Sequence, residues 1–312
     1  MPDLVTTASL VGLTLLALAA SVLASARFLG RGIDAKGLGQ RGLVWLTALG
    51  GTALYAGLHL RRGASPLHSH LDGLLLIATL FAFTVIFLQQ PQRLPGIGVF
   101  ALPLLTFLLA WAFCAGTFTS HPYTIQSIWV TVHLITLILG MICFGLAACA
   151  GAMYLYADQR LRTKRSAAPV GGLASLESIE RLIVRAAALG FGLFALGLVT
   201  GLVLVAAARS DPNWWREPKV LLGTAAWLIY AVVMNARYAT AFRGRRAAWL
   251  AIAGMALILA TWALATRRPG YGGAAAPASL TIFPRPWTLI SRGFADSTPG
   301  VPSTFSDGTE VS

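Results

Sequence analysis

The chain has 312 residues, of which 56% are hydrophobic and only 11% are charged, and its formal net charge is +13. A soluble globular protein carries about 25% charged residues, and the mean hydropathy of +0.71 likewise excludes an ordinary soluble domain. The Lys and Arg residues lie in short groups between long apolar runs, a pattern that sets membrane orientation and argues against nucleic-acid binding.

Eight apolar runs are long enough to cross the ~30 Å hydrocarbon core of a bilayer as helices. In that core every backbone polar group must be paired within the protein, which allows only helices or closed barrels, and barrel strands would alternate in polarity. We therefore predict an all-α, polytopic membrane helix bundle of about eight transmembrane helices. In chain order, the predicted spans are residues 4–26, 43–60, 72–89, 95–117, 127–157, 185–208, 220–238 and 247–266.

Basic residues are distributed unevenly between the segments that connect these spans. Most of the 24 Lys and Arg residues lie in the segments after the first, third, fifth and seventh spans. Because Lys and Arg are enriched on the inner side of a membrane, we predict that the N- and C-termini both lie outside. The lipid bilayer is the predicted surrounding, and a bacterial-type inner (plasma) membrane is the predicted location.

Two segments outside the spans are distinctive. Residues 158–184 form a basic inside loop that ends in an amphipathic stretch, which predicts a helix lying along the membrane surface or against the bundle. The apolar positions of that stretch are Leu173, Leu176, Ile179 and Ile183. Residues 269–312 are rich in Gly, Pro, Ser and Thr, which predicts a disordered tail. The transmembrane bundle is therefore predicted to occupy residues 1–268.

The spans have no Asp, Glu, Lys or Arg well inside them. Ion-coupled transporters keep ionisable groups near the membrane midplane, and membrane enzymes need a buried base or metal ligands. We therefore expect a protein that is not an enzyme, and a small-molecule exporter is only a minor alternative. The three cysteines, Cys114, Cys143 and Cys149, form no C-x-x-C pair, which disfavours a zinc site or thiol–disulfide exchange.

Two histidines near the outer ends of spans are the candidate ligands. His133 lies about 9 Å deep in the fifth span, and Trp129, Thr136 and Gly140 share its helix face. An aromatic ring, a hydroxyl and a small gap beside an imidazole would suit a flat porphyrin. His59 lies near the outer end of the second span. A neutral imidazole is an axial ligand of haem iron, although a structural histidine bonded to a neighbouring helix is the alternative at both positions.

The outside loop after the sixth span carries two adjacent tryptophans, Trp214 and Trp215, among charged residues. Tryptophan is common at membrane interfaces, so an aromatic belt is one interpretation. The other is a flat apolar platform at the outer surface, with the cations of Arg216 and Lys219 placed to pair with propionates.

This loop and the helix after it resemble the cytochrome c assembly protein family, which includes CcsA, CcmC and CcmF. The CcsA branch has a Trp-x-Trp-Asp-Pro-Lys-Glu sequence followed by Trp-Leu-x-Tyr-Ala. Here the corresponding residues are Asn213-Trp214-Trp215-Arg216-Glu217-Pro218-Lys219 and Trp227-Leu228-Ile229-Tyr230-Ala231. The resemblance covers about residues 45–266, and the stretch 173–180 is similar to the shorter YpjD-like subgroup.

The resemblance implies a haem-handling accessory protein in cytochrome c assembly. Members of the family pass haem across or along the outer membrane face for attachment to apocytochrome c, and they hold it between outer histidines over the Trp-rich loop. By resemblance, His133 would ligate the iron. A site with two histidines would need His59, His121 or a residue of a partner as the other haem-binding residue. Trp214 and Trp215 would support the porphyrin, and the implied partners are other cytochrome c maturation proteins or apocytochrome c.

Departures from the family pattern support a second hypothesis. Glu217 stands at the family's Asp position, and Asn235 stands where the CcsA branch has a histidine. The alternative function is therefore a non-haem structural or assembly subunit of a membrane complex that keeps the same fold.

Overall fold

The fold is built entirely of helices in the part of the chain that can be described. A computed structural model describes residues 4–29, 38–62, 69–90, 94–118, 128–163, 174–207, 216, 218–235 and 244–267. In chain order, the helices among these residues are α1 (Leu4–Phe28), α2 (Leu38–Arg62), α3 (His70–Leu88), α4 (Ile97–Phe118), α5 (Ile128–Arg162), α6 (Leu176–Ala207), α7 (Pro218–Asn235) and α8 (Arg245–Arg267).

The lengths and composition of these helices suit a bilayer. Among the described residues, 7 helices are long and apolar enough to cross a membrane. The apolar stretch of α7, Val220–Met234, is shorter than the others. The prediction of an all-α, multi-pass membrane bundle of about eight helices is confirmed.

The helices pack in two groups of four. In the first half, α1 packs against α2 and α4, and α3 lies between α2 and α4. In the second half, α5 packs most extensively against α6 and also against α8, and α7 lies between α6 and α8. Helix α5 also contacts α3 and α4, so the two halves meet mainly along α5.

The core of the second half is centred on two stacked aromatic rings. The rings of Phe144 and Tyr230 lie 3.5 Å apart between centroids, with an interplanar angle of 10°. The hydroxyl of Tyr230 donates to the carbonyl oxygen of Ala251 at 3.0 Å. A β-carbon at Gly190 would lie 2.6 Å from the Phe144 ring, and one at Gly254 would lie 2.6 Å from the Tyr230 ring. Small residues thus allow four helices to close around this pair.

Helices α5 and α6 are both longer than the spans predicted for them. Helix α5 continues beyond its predicted end to Arg162, and α6 begins at Leu176 and runs without a break to Ala207. Ile179 and Ile183 are fully buried, so this part of the predicted amphipathic stretch forms the first turns of α6 and packs inside the bundle. The predicted tail, residues 269–312, lies outside the described residues, and the side on which each terminus lies stays a prediction.

Candidate functional site

His133 is held by a hydrogen bond to the neighbouring helix. Its Nδ1 lies 2.7 Å from the carbonyl oxygen of Gly197 on α6. A carbonyl oxygen can only accept, so Nδ1 carries the proton and donates it. In the neutral ring the lone pair is therefore on Nε2, and no described residue is hydrogen-bonded to that atom.

The imidazole rests directly against the backbone of α6. A β-carbon on Gly201 would lie 2.8 Å from Cε1 and 3.2 Å from Nδ1 of His133. Thr200 is buried beside it, with Oγ1 3.4 Å from Nδ1. The Thr200 hydroxyl donates to the carbonyl oxygens of Leu196 at 2.9 Å and Gly197 at 3.0 Å. Helix α6 thus holds the Nδ1–Cε1 edge of the imidazole in place, and its Gly197 carbonyl keeps the proton on Nδ1.

The rest of the His133 helix face turns toward α6. Thr136 is buried, and its hydroxyl donates to the carbonyl oxygen of Val132 on its own helix at 2.8 Å. A β-carbon on Gly140 would lie 3.4 Å from the backbone nitrogen of Phe194. The small gap that the sequence suggested beside the imidazole is therefore occupied at Gly140 by α6. Trp129, one turn before His133, is 49% exposed.

These features fit one axial ligand of a haem iron. Such a histidine presents a neutral nitrogen to the metal and donates its other N–H to a fixed acceptor, which sets the ring orientation. The Nδ1–H of His133 has that acceptor in the carbonyl oxygen of Gly197, and Nε2 has no partner among the described residues. The donor chemistry at His133 therefore suits the group that the sequence predicted.

His59 lies in the other half of the bundle. Its ring packs edge-on against Tyr55, with 4.5 Å between centroids and an interplanar angle of 68°. Its Nε2 is buried and has no hydrogen-bond partner among the described residues. The main packing neighbours of α2 are α1 and α3. His59 and His133 therefore belong to different helix groups.

A buried carboxylate near Tyr55 was not predicted. Asp72 is only 1% exposed in the first turn of α3, where the Ser69 side chain caps the helix by accepting the backbone N–H of Asp72 at 3.2 Å. The carboxylate lies within electrostatic range of the Tyr55 hydroxyl, and a helix N-terminus favours a negative charge. Two residues before Asp72, His70 packs against Trp262 of α8 with 6.4 Å between ring centroids. The Ser-x-x-Asp spacing before an apolar run is the signal that marks this helix start.

The predicted tryptophan platform lies largely beyond what can be described. Trp214 and Trp215 are outside the described residues, Arg216 is exposed, and Lys219 is the second residue of α7. Trp227 of the same motif stacks on Phe191 of α6, with centroids 5.0 Å apart and an angle of 20°. The structure thus places one motif tryptophan in the packing of the second half.

Comparison with known proteins identifies relatives that match most of the chain. A family model described as cytochrome C assembly protein matches residues 67–263, from just before α3 to near the end of α8. The cytochrome c biogenesis protein CcsA of Prochlorococcus marinus strain MIT 9303 is 23% identical over 248 residues, covering 69% of this chain and 77% of the relative.

Two further relatives carry the same description. CcsA of Synechococcus sp. strain RCC307 is 22% identical over 223 residues, covering 63% of this chain and 71% of the relative. CcsA of Prochlorococcus marinus strain NATL1A is 31% identical over 117 residues, covering 37% of this chain and 36% of the relative. No solved structure gives a significant match.

Proposed function

Because the chain belongs to the cytochrome c assembly protein family, we propose that it is a multi-pass membrane protein that handles haem during cytochrome c assembly. We propose further that it holds and presents haem without itself making or breaking covalent bonds. The observation that carries the proposal is the hydrogen bond from Nδ1 of His133 to Gly197, which leaves Nε2 as the metal-binding nitrogen.

The proposed roles divide between a helix and a loop. His133 ligates the iron from the second half of the bundle. Trp214 and Trp215 support the porphyrin face, and Arg216 and Lys219 pair with the propionates. Haem, when bound, would supply the iron that the His133 imidazole coordinates.

A second ligand to the iron would come from His59, from His121, which lies outside the described residues, or from a partner protein. His59 has the required chemistry, since its Nε2 is buried without a hydrogen-bond partner among the described residues. Other cytochrome c maturation proteins or apocytochrome c are the proposed partners, and a bacterial-type inner membrane is the proposed location.

The visible spectrum of the detergent-purified protein tests the proposal. We expect a Soret band in protein from haem-replete cells, and its loss in His133→Ala. The matched control is His70→Ala, which removes a histidine at a helix end that packs against Trp262 and should keep the band. Haem-free wild-type protein from such cells, or an unchanged band in His133→Ala, would overturn the proposal.

The same contact supports the second candidate function, a structural subunit without haem. The hydrogen bond between His133 and Gly197 also ties α5 to α6, and interhelical bonds of this kind stabilise membrane bundles. His133→Gln separates the two roles because an amide N–H can still donate to the carbonyl while the imidazole is lost. Unimpaired growth of this variant on respiratory substrates, with a stable co-purifying partner, would select the structural role.

A further inference from the structure

A cavity of about 650 Å³ opens at the end of the bundle where α5 ends and α6 and α8 begin. We call it the terminal cavity. Five of its lining side chains are charged, and none of them has a role in the proposed haem site. The lining residues are Tyr154, Asp158, Arg162, Glu180, Gly244, Arg245, Arg246 and Trp249. The positions of the basic residues predict that this end faces the inner side of the membrane.

Close backbone contacts give the cavity a defined shape. A β-carbon on Gly151 would lie 2.8 Å from the carbonyl oxygen of Ala248, so α5 and α8 touch just above the cavity. At its floor, Gly244 has a φ of +66° and lies against the hydroxyl of Tyr154. Only glycine adopts this backbone conformation at low cost, which fixes the direction in which α8 begins.

The charges in the cavity are of both signs. Arg162 and Asp158 form an ion pair at 2.9 Å and so neutralise each other. The other charged lining residues are Glu180 from α6, and Arg245 and Arg246, which open α8. The partial positive charge of the α8 N-terminus adds to the two arginines. The cavity therefore offers a positive side on α8 and a single carboxylate on α6.

We expect the cavity to lie at the depth of lipid headgroups. Trp249, one turn into α8, is 57% exposed and lines the cavity. Indole rings are enriched at the boundary between hydrocarbon and water. The charged groups that reach this depth in a membrane are the headgroups of phospholipids.

We propose that the terminal cavity binds the phosphoethanolamine headgroup of a membrane phospholipid. Arg245, Arg246 and the N-terminus of α8 bind the phosphate, since arginine and helix N-termini both favour phosphate oxygens. Glu180 binds the ammonium group. A phosphatidylglycerol headgroup leaves Glu180 without a cation, and a choline headgroup has no N–H to donate, so an amine-bearing lipid matches both signs of charge.

Lipid binding to the purified full-length chain tests this proposal. Native mass spectrometry would titrate phosphatidylethanolamine, phosphatidylcholine and phosphatidylglycerol with identical acyl chains. We expect phosphatidylethanolamine to bind about tenfold more tightly than phosphatidylcholine, the difference that one charge-assisted hydrogen bond provides. Glu180→Gln should abolish this preference, and Arg245→Gln should weaken binding of all three lipids.

Two charged residues outside the cavity provide matched controls. Glu177 and Arg181 lie on the same helix, with side chains 79% and 57% exposed, so Glu177→Gln and Arg181→Gln should leave the lipid preference unchanged. Thermal unfolding in detergent checks that every variant is folded. Equal affinity for the three lipids, tighter binding of phosphatidylglycerol, or a Glu180→Gln variant that keeps the preference would each overturn the proposal. The result is independent of haem content, so it succeeds or fails separately from the proposed function.

Discussion

His133 and Gly201 lie so close that a β-carbon on Gly201 would stand 2.8 Å from Cε1 of the imidazole. Real β-carbons do not approach a neighbour at this distance. The position of the ring therefore depends on the absence of one methyl group on α6 as well as on the hydrogen bond to Gly197.

Gly201→Ala should displace the imidazole without removing it. The added methyl group must push the ring away from α6, at a cost of about 1–3 kcal/mol for overpacking, and Nε2 moves with the ring. We expect a shifted or weakened Soret band and a lower melting temperature. Gly192→Ala is the control because a β-carbon there meets nothing within 4 Å. A wild-type spectrum in Gly201→Ala would contradict the proposal that haem binds to the His133 ring in this position against α6.

Two other glycines at the same helix interface should respond differently to alanine. Gly190→Ala places a methyl group 2.6 Å from the Phe144 ring, in a core with no room to shift, so we expect a loss of about 1–3 kcal/mol in the free energy of unfolding. Gly140→Ala makes contacts of 3.4 Å or more and should be neutral or slightly stabilising. Thermal unfolding of both variants in the same detergent would compare them, and equal losses would contradict the close packing of Gly190 on Phe144.

Trp227 should tolerate phenylalanine but not alanine. Its Nε1 is buried without a hydrogen-bond partner among the described residues, while its ring stacks on Phe191. Trp227→Phe keeps an aromatic ring in the stack and removes an N–H that gains nothing by burial. Trp227→Ala loses the ring and leaves a cavity, which costs about 3–5 kcal/mol. If the melting temperature falls equally in the two variants, the indole N–H has a partner or a role that packing does not explain.

Tyr230→Phe measures the hydrogen bond in the centre of the second half. The variant keeps the stack on Phe144 and removes the hydroxyl that donates to Ala251. We expect a loss of about 0.5–1.5 kcal/mol in the free energy of unfolding, with an unchanged helical circular dichroism spectrum. The conservative variant Phe144→Leu, which removes the stacking ring, should be the more damaging of the two. The opposite order would show that the hydroxyl matters more than the stack.

The membrane architecture could be predicted from the sequence because hydropathy is a local property. A run of about twenty apolar residues indicates a helix whatever its neighbours are. The helix ends were less predictable. The stretch that contains Ile179 and Ile183 is amphipathic when it is considered alone, and it forms the first turns of α6, where both side chains are buried. Asp72 stood at a predicted span boundary, so its burial beneath the Ser69 cap was not foreseen.

The candidate site was only partly predictable because it is made by two helices that are distant in sequence. The sequence predicted that His133 is a ligand and that Gly140 leaves a gap beside it. It did not identify Gly197 as the acceptor for Nδ1 or Gly201 as the surface on which the ring rests. These contacts depend on the pairing of α5 with α6, which no local pattern specifies. The Gly-x-x-x-Gly spacing of residues 197–201 was the available signal, since it allows close helix approach.

The division of the helices into two closed groups of four has a consequence for how the chain assembles. Most helix contacts lie within one group or the other, and α5 provides most of the contact between the groups. We therefore expect that a chain cut in the segment 119–127, between α4 and α5, can be made as two separate polypeptides that find each other in the bilayer. Fragment complementation of this kind would allow a variant of the half that carries His59 to be combined with either a wild-type or a variant form of the half that carries His133.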